Sequence, residues 1–74
     1  MNCGDRLREV REEYEYSQTY VANVLHVSQR VYSNYEKGEV RVSVDTLKIL
    51  ARHYNLSLDY LSGSSDIKNE YPKK

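Results

Sequence analysis

Five side chains within SQTYVANVLHVSQRVYSNYEKG, residues 17–38, have types and spacings suited to reading hydrogen-bonding edges: Gln29, Arg30, Ser33, Asn34 and Lys37. At 100° per residue a helix gathers them on one face, opposite Tyr32 and Tyr35. Gln and Asn can bond adenine bidentately, Arg can do the same with guanine, Ser adapts to either, and Lys meets a phosphate. The chemistry that such a face would do is recognition of double-stranded DNA. A purely solvated face more often carries Glu–Lys pairs, yet polar residues face outward on any surface helix, so the spacing leaves both readings open.

Other chemistry is poorly supplied. His26 and His53 stand far apart with no Cys or carboxylate cluster beside either, so no metal site is expected. Cys3 is the single cysteine and reads as an incidental thiol near the start of the chain. There is no Gly-rich phosphate loop, HExxH or CxxC. Ser, His and Asp occur without any catalytic spacing. Neither an enzyme nor a cofactor is expected.

The elements that must hold the reading face follow from apolar periodicity and capping. Leu7, Val10 and Tyr14 form one helical stripe, starting after Asn2 or Asp5. Ser17, Ser28, Ser43 and Ser57 each stand one residue ahead of a further amphipathic segment, where an N-cap is wanted. Gly38 and Gly63 supply stop signals. Val40, Val42 and Val44 alternate with polar residues, but the run is short and reads as an extended loop. The result is an all-α domain of five short helices over residues 1–63, with residues 64–74 as a flexible polar tail.

Only His26 and Val27 separate the second helix from the cap of the third, which forces a steep crossing: helix-turn-helix geometry. Ala22 is the small residue where that crossing is closest. With eight Tyr and no Phe or Trp, aromatic core volume must come from tyrosines, and Tyr32, Tyr35 and Tyr54 are expected inside. Tyr20 is a candidate for reaching a phosphate. Leu58, Tyr60 and Leu61 read equally as core or as a dimer seam.

Charge gives a caution. The chain is formally neutral, with 11 basic and 11 acidic residues. Residues 1–16 are net acidic and residues 17–42 slightly basic, so an anion-binding face would be local. The acidic run Glu9, Glu12, Glu13 and Glu15 reads as the solvated face of the first helix. No apolar run reaches the roughly 18 residues of a membrane span, and no charged n-region with an apolar h-region marks a signal peptide, so none is expected. Cytoplasm is the expected compartment.

The run LREVREEYEYSQTYVANVLHVSQRVYSNYEKGEVRVSVDTLKILARHYNLSLDYLSG, residues 7–63, resembles the Cro/lambda-repressor-type (XRE-like) helix-turn-helix family. The resemblance rests on SQxxVAxxL, VSQRxYSNYEKG, SxDTLxxLAxxYNxS and LDYLxG in order. It implies a transcriptional regulator, a repressor that binds an inverted repeat as a homodimer, with helix 28–37 in the major groove. It implies that Gln29, Arg30, Ser33 and Asn34 read bases, and that Gln18, Thr19, Lys37 and Arg41 flank phosphates. It also implies an ion pair between Arg11 and Glu36. An antitoxin-like or adaptor module working through a protein partner is the alternative on the same fold. The chain departs from the family pattern at His26, where the tight turn commonly holds Gly and a left-handed backbone is needed. It departs again at Glu15, in place of a frequent Gly or Asn, and in a loop after the third helix that is less basic than usual.

Overall fold

The computed structural model describes residues 2–65. Helices run over Cys3–Glu13 (α1), Gln18–Leu25 (α2), Gln29–Lys37 (α3), Val44–Tyr54 (α4) and Leu58–Ser62 (α5), with no strand among the described residues. Each starts where a short polar side chain captures an orphan amide. Asn2 accepts from Asp5 N at 2.8 Å, and Ser17, Ser28, Ser43 and Ser57 accept from the amides of Tyr20, Val31, Thr46 and Tyr60. Each such cap contributes about 1 kcal/mol. The last four helices end on left-handed residues: His26, Gly38, Asn55 and Gly63, at φ 60°, 79°, 59° and 88°.

The core is one cluster fed by every helix. Leu7 and Val10 from α1 meet Val21, Ala22 and Leu25 from α2, Tyr32 from α3, Leu47, Leu50 and Tyr54 from α4, and Tyr60 and Leu61 from α5. Helix α1 packs across α3 and α5, α2 lies against α3, and α4 lies against α5. Tyr35 is half-buried against this cluster rather than within it. Tyr60 and Leu61 are 5% and 0% exposed, so the core takes them and a dimer seam cannot. Leu58, half-buried at the edge, is the one member of that trio left at the surface.

Two large apolar side chains stay at the surface. Tyr14 caps α1 instead of continuing it, is 41% exposed, and donates its hydroxyl to the Tyr54 carbonyl at 3.0 Å. Ile49 is 46% exposed on the outer side of α4 beside buried Leu50.

Two residues near the chain's start have larger roles than their types suggest. A Cβ on Gly4 would stand 2.5 Å from the Glu36 carbonyl oxygen and 2.8 Å from that of Tyr35. Only glycine lets α1 approach the end of α3 this closely. Arg6 is 3% exposed. Its guanidinium donates to the Tyr60 carbonyl at 2.8 Å and the Ser65 carbonyl at 3.1 Å, and lies 3.9 Å over the Tyr60 ring. The amides of Ser64 and Ser65 bond Asp59 O, so both serines, which the sequence assigns to the tail, are tied to α5. The remainder of that tail, residues 66–74, lies outside the described residues.

Candidate nucleic-acid interface

The turn between α2 and α3 fixes the reading face. His26 reverses the chain in the left-handed region, and its amide and that of Val27 close back onto Asn23 O and Ala22 O at 3.1 and 3.0 Å. A non-glycine residue there costs about 1–2 kcal/mol. Ser28 then caps α3, and Tyr32, fully buried and edge-on to Tyr35 at 6.3 Å between ring centres, fixes the rotation of the helix. With Tyr32 inward, Gln29, Arg30 and Lys37 are exposed and Ser33 and Asn34 half-exposed. The five side chains that the sequence grouped do share one accessible face.

Behind that face runs a continuous hydrogen-bonded chain. Gln29 Nε2 donates to Gln18 Oε1 at 2.6 Å, and Gln18 Nε2 donates to Glu36 Oε1 at 3.0 Å. Arg11 grips both oxygens of Glu36, Nε to Oε2 at 2.7 Å and an outer nitrogen to Oε1 at 3.3 Å. It also donates to the Tyr16 carbonyl at 2.9 Å. The side chains of Arg11 and Glu36 are only 13% and 4% exposed, so the pair is screened from water. Such fork-to-carboxylate pairing fixes orientation as well as energy.

The electrostatics follow from this burial. Desolvation pushes the Glu36 carboxyl up, but the Arg11 guanidinium and the Gln18 amide outweigh it, leaving Glu36 below the usual carboxylate range. The hydrogen bond to Glu36 holds Arg11 above its ordinary value against the opposing effect of burial. Burial pushes the hydroxyls of Tyr32 and Tyr54 well above the phenol range, so both stay neutral. Glu36 is therefore a permanent anion near neutrality, and Gln29 is held from behind. The remaining amide valences of Gln29 can still meet a base edge.

Phosphate candidates surround the face. An open notch of about 400 Å³ is lined by Arg8, Arg11, Gln18, Ser33 and Lys37, together with the carboxylates of Asp5 and Glu36. Arg41 is exposed on the loop after α3 and lines a second hollow together with Lys37, Gly38 and Val40. Lys37 thus borders both. Thr19 is exposed at the start of α2. Tyr20 turns toward α4, its ring 4.4 Å from that of Tyr16 and its hydroxyl 3.5 Å from His53 Nε2. Arg8 is the lining residue that sequence reasoning passed over. Its i,i+3 relation to Arg11 on one helix face was the available signal.

A family model described as helix-turn-helix matches residues 7–61. The HTH-type transcriptional regulator ImmR of Bacillus subtilis (strain 168) is 39% identical over 72 residues, covering 95% of this chain and 57% of that protein. The chain therefore spans little more than half the length of that relative. Among solved structures, a transcriptional regulator from Listeria innocua superposes with a TM-score of 0.80 at 27% identity, over 84% of this chain and 58% of that one. The P22 c2 repressor, solved in complex with a synthetic operator, superposes with a TM-score of 0.78 at 25% identity, over 88% of this chain and 98% of that one.

Proposed function

The chain belongs to the helix-turn-helix family of the Cro/lambda-repressor (XRE) type, a family of non-enzymatic DNA-binding domains, and on that premise we propose that it is a sequence-specific transcriptional regulator. It acts as a repressor in the cytoplasm, binding an inverted repeat as a homodimer. The observation that carries this reading is the chain from Arg11 through Glu36 and Gln18 to Gln29, which holds a base-reading amide from behind by a screened ion pair. A merely solvated helix face has no use for such bracing.

Gln29, Arg30, Ser33 and Asn34 read base edges, while Gln18, Thr19, Lys37 and Arg41 meet phosphates. Arg8 adds a further cation at the notch beside Gln18. Because the chain is formally neutral, affinity comes from these few local contacts rather than from a long-range field. The dimer contact is assigned to the edge between α4 and α5, where half-exposed Leu58 borders a hollow with Ala51, Lys48 and Arg52. Two copies of α3 then enter successive major grooves about 34 Å apart.

Selection from random duplex DNA at roughly physiological salt tests the reading. The expected result is enrichment of an inverted repeat with half-sites about one helical turn apart. With some six phosphate contacts per dimer, log K falls against log salt with a slope of about −5. A folded chain that enriches no sequence would sink the proposal.

A further inference from the structure

The end of α1, the turn after it and the first turn of α2 depart from local rules in three ways. Glu12 and Glu13 sit in the last turn of α1, where the helix dipole favours cations. The one cation there, Arg11, is committed to Glu36. Glu15 holds a left-handed backbone at φ 61°, a position that suits Gly or Asn. Tyr14 and Tyr20 leave 41% and 42% of their surface in water. Each departure alone is ordinary, but together they destabilise one small region, and such clustering marks sites kept for a purpose other than stability.

The rings form a continuous surface. Tyr16 lies 5.8 Å from Tyr14, 4.4 Å from Tyr20 and 5.8 Å from His53 between ring centres, so the aromatic faces extend from the end of α1 across α2 to α4. Glu13 and Glu15, both exposed, flank Tyr14 in the chain. Exposed tyrosine rings attract a guanidinium or ammonium over their faces, and adjacent carboxylates strengthen that attraction. The same carboxylates repel a nucleic-acid backbone, which separates this surface from the reading face of α3.

We propose that the surface formed by Tyr14, Glu15, Tyr16 and Tyr20 docks a cationic protein segment, one that presents Arg or Lys side chains to the rings and the carboxylates. It is independent of the DNA-binding reading and uses none of the residues assigned to bases or phosphates.

A hexa-arginine peptide titrated into the isotope-labelled chain tests this by NMR. Amide shifts are expected at residues 13–16, Tyr20 and His53. Glu15→Gly relieves the left-handed strain and raises the thermal unfolding midpoint, yet weakens peptide binding about threefold, as loss of one exposed ionic contact should. Tyr20→Ser weakens it by a similar factor, about threefold, through loss of a ring face. Glu39→Lys, on the loop after α3, changes it by less than half as much. The proposal is overturned if the peptide causes no shifts, or if shifts at Glu39, Asp45 and Asp59 match those of the patch. Undiminished binding by Glu15→Gly also overturns it. Patch shifts that depend on protein concentration without peptide overturn it too, and assign the surface to a second copy of the chain.

Discussion

Two arginines on α1 are both withdrawn from water, and they are used in opposite ways. Arg6 ends on backbone carbonyls, those of Tyr60 and Ser65, and lies over the Tyr60 ring. Those carbonyls cannot rotate or take up a proton, and its carboxylate partner, Glu9 at 3.2 Å, lies on α1 itself, so the contact clamps α1 to α5 and leads no further. Arg11 ends on a carboxylate, Glu36, whose Oε1 also accepts from Gln18, and Gln18 in turn accepts from Gln29. That acceptor can titrate and reorient. One arginine holds the fold, while the other connects the fold to the surface proposed to read DNA.

Removing the clamp should have the largest effect. Arg6→Ala strands two carbonyls and the ring contact, and should destabilise the chain by about 2–4 kcal/mol in urea unfolding. The base preference of the folded fraction should be unchanged. A shift in preference would erase the distinction between the two arginines.

Glu36→Gln comes next, with a loss of about 2–3 kcal/mol because Arg11 is left without its counter-charge. Here preference at the base pair facing Gln29 should relax as well. The double change Arg11→Met with Glu36→Leu should regain part of the stability and none of the preference. Acidity separates the two regions further. The Glu36 carboxyl is held below its unfolded value, so its contribution to stability is fully present above the ordinary carboxylate range and is lost as pH falls through the lowered one. An acid titration of the unfolding free energy should flatten below about pH 4.5 in Glu36→Gln, while Arg6→Ala keeps the wild-type slope there.

Smaller effects sharpen the surface end of the connection. Gln29→Ala and Asn34→Ala should each lower discrimination at one base pair by about 1–3 kcal/mol with little change in stability. Arg41→Ala should weaken all sequences alike and reduce the salt slope by about 1. The preference lost with Glu36→Gln should be the preference lost with Gln29→Ala; a match to Asn34→Ala instead would break the proposed route. The smallest effect is a gain. His26→Gly removes left-handed strain at the turn and should add about 0.5–1 kcal/mol without altering preference.

Much of this was legible beforehand, for reasons that differ by residue. The serine caps were readable because a hydroxyl ahead of an apolar repeat has one dominant local use, and all four proved to bond the expected amide. The strain at His26 was readable through the resemblance, because the tight turn commonly holds Gly and a side chain there needs a left-handed or strained backbone. The pairing of Arg11 with Glu36 came from family resemblance alone, since spacing in the chain does not bring two distant helices together. Arg6 was missed because an arginine beside Leu7 reads as surface. Its position one turn before Val10 put it on the buried stripe, where the Tyr60 and Ser65 carbonyls satisfy it together with Glu9 on its own helix. Tyr14 was misplaced because periodicity continues on paper past the residue where the helix stops. Tyr60 and Leu61 could not be decided in a five-residue helix until α1 was laid across it.

The clasp between Arg6 and the Tyr60 carbonyl also has a kinetic side. Caps, turns and the α2–α3 crossing all join residues close in the chain, and such structure forms in microseconds to milliseconds. The clasp joins residue 6 to residue 60, and a loop of that length closes only once the intervening helices have shortened it. It belongs to the late side of the barrier. Weakening it should therefore leave the folding rate almost untouched and hasten escape from the native state, so the lifetime of the folded domain is set by a contact in which none of the proposed DNA-contacting residues takes part.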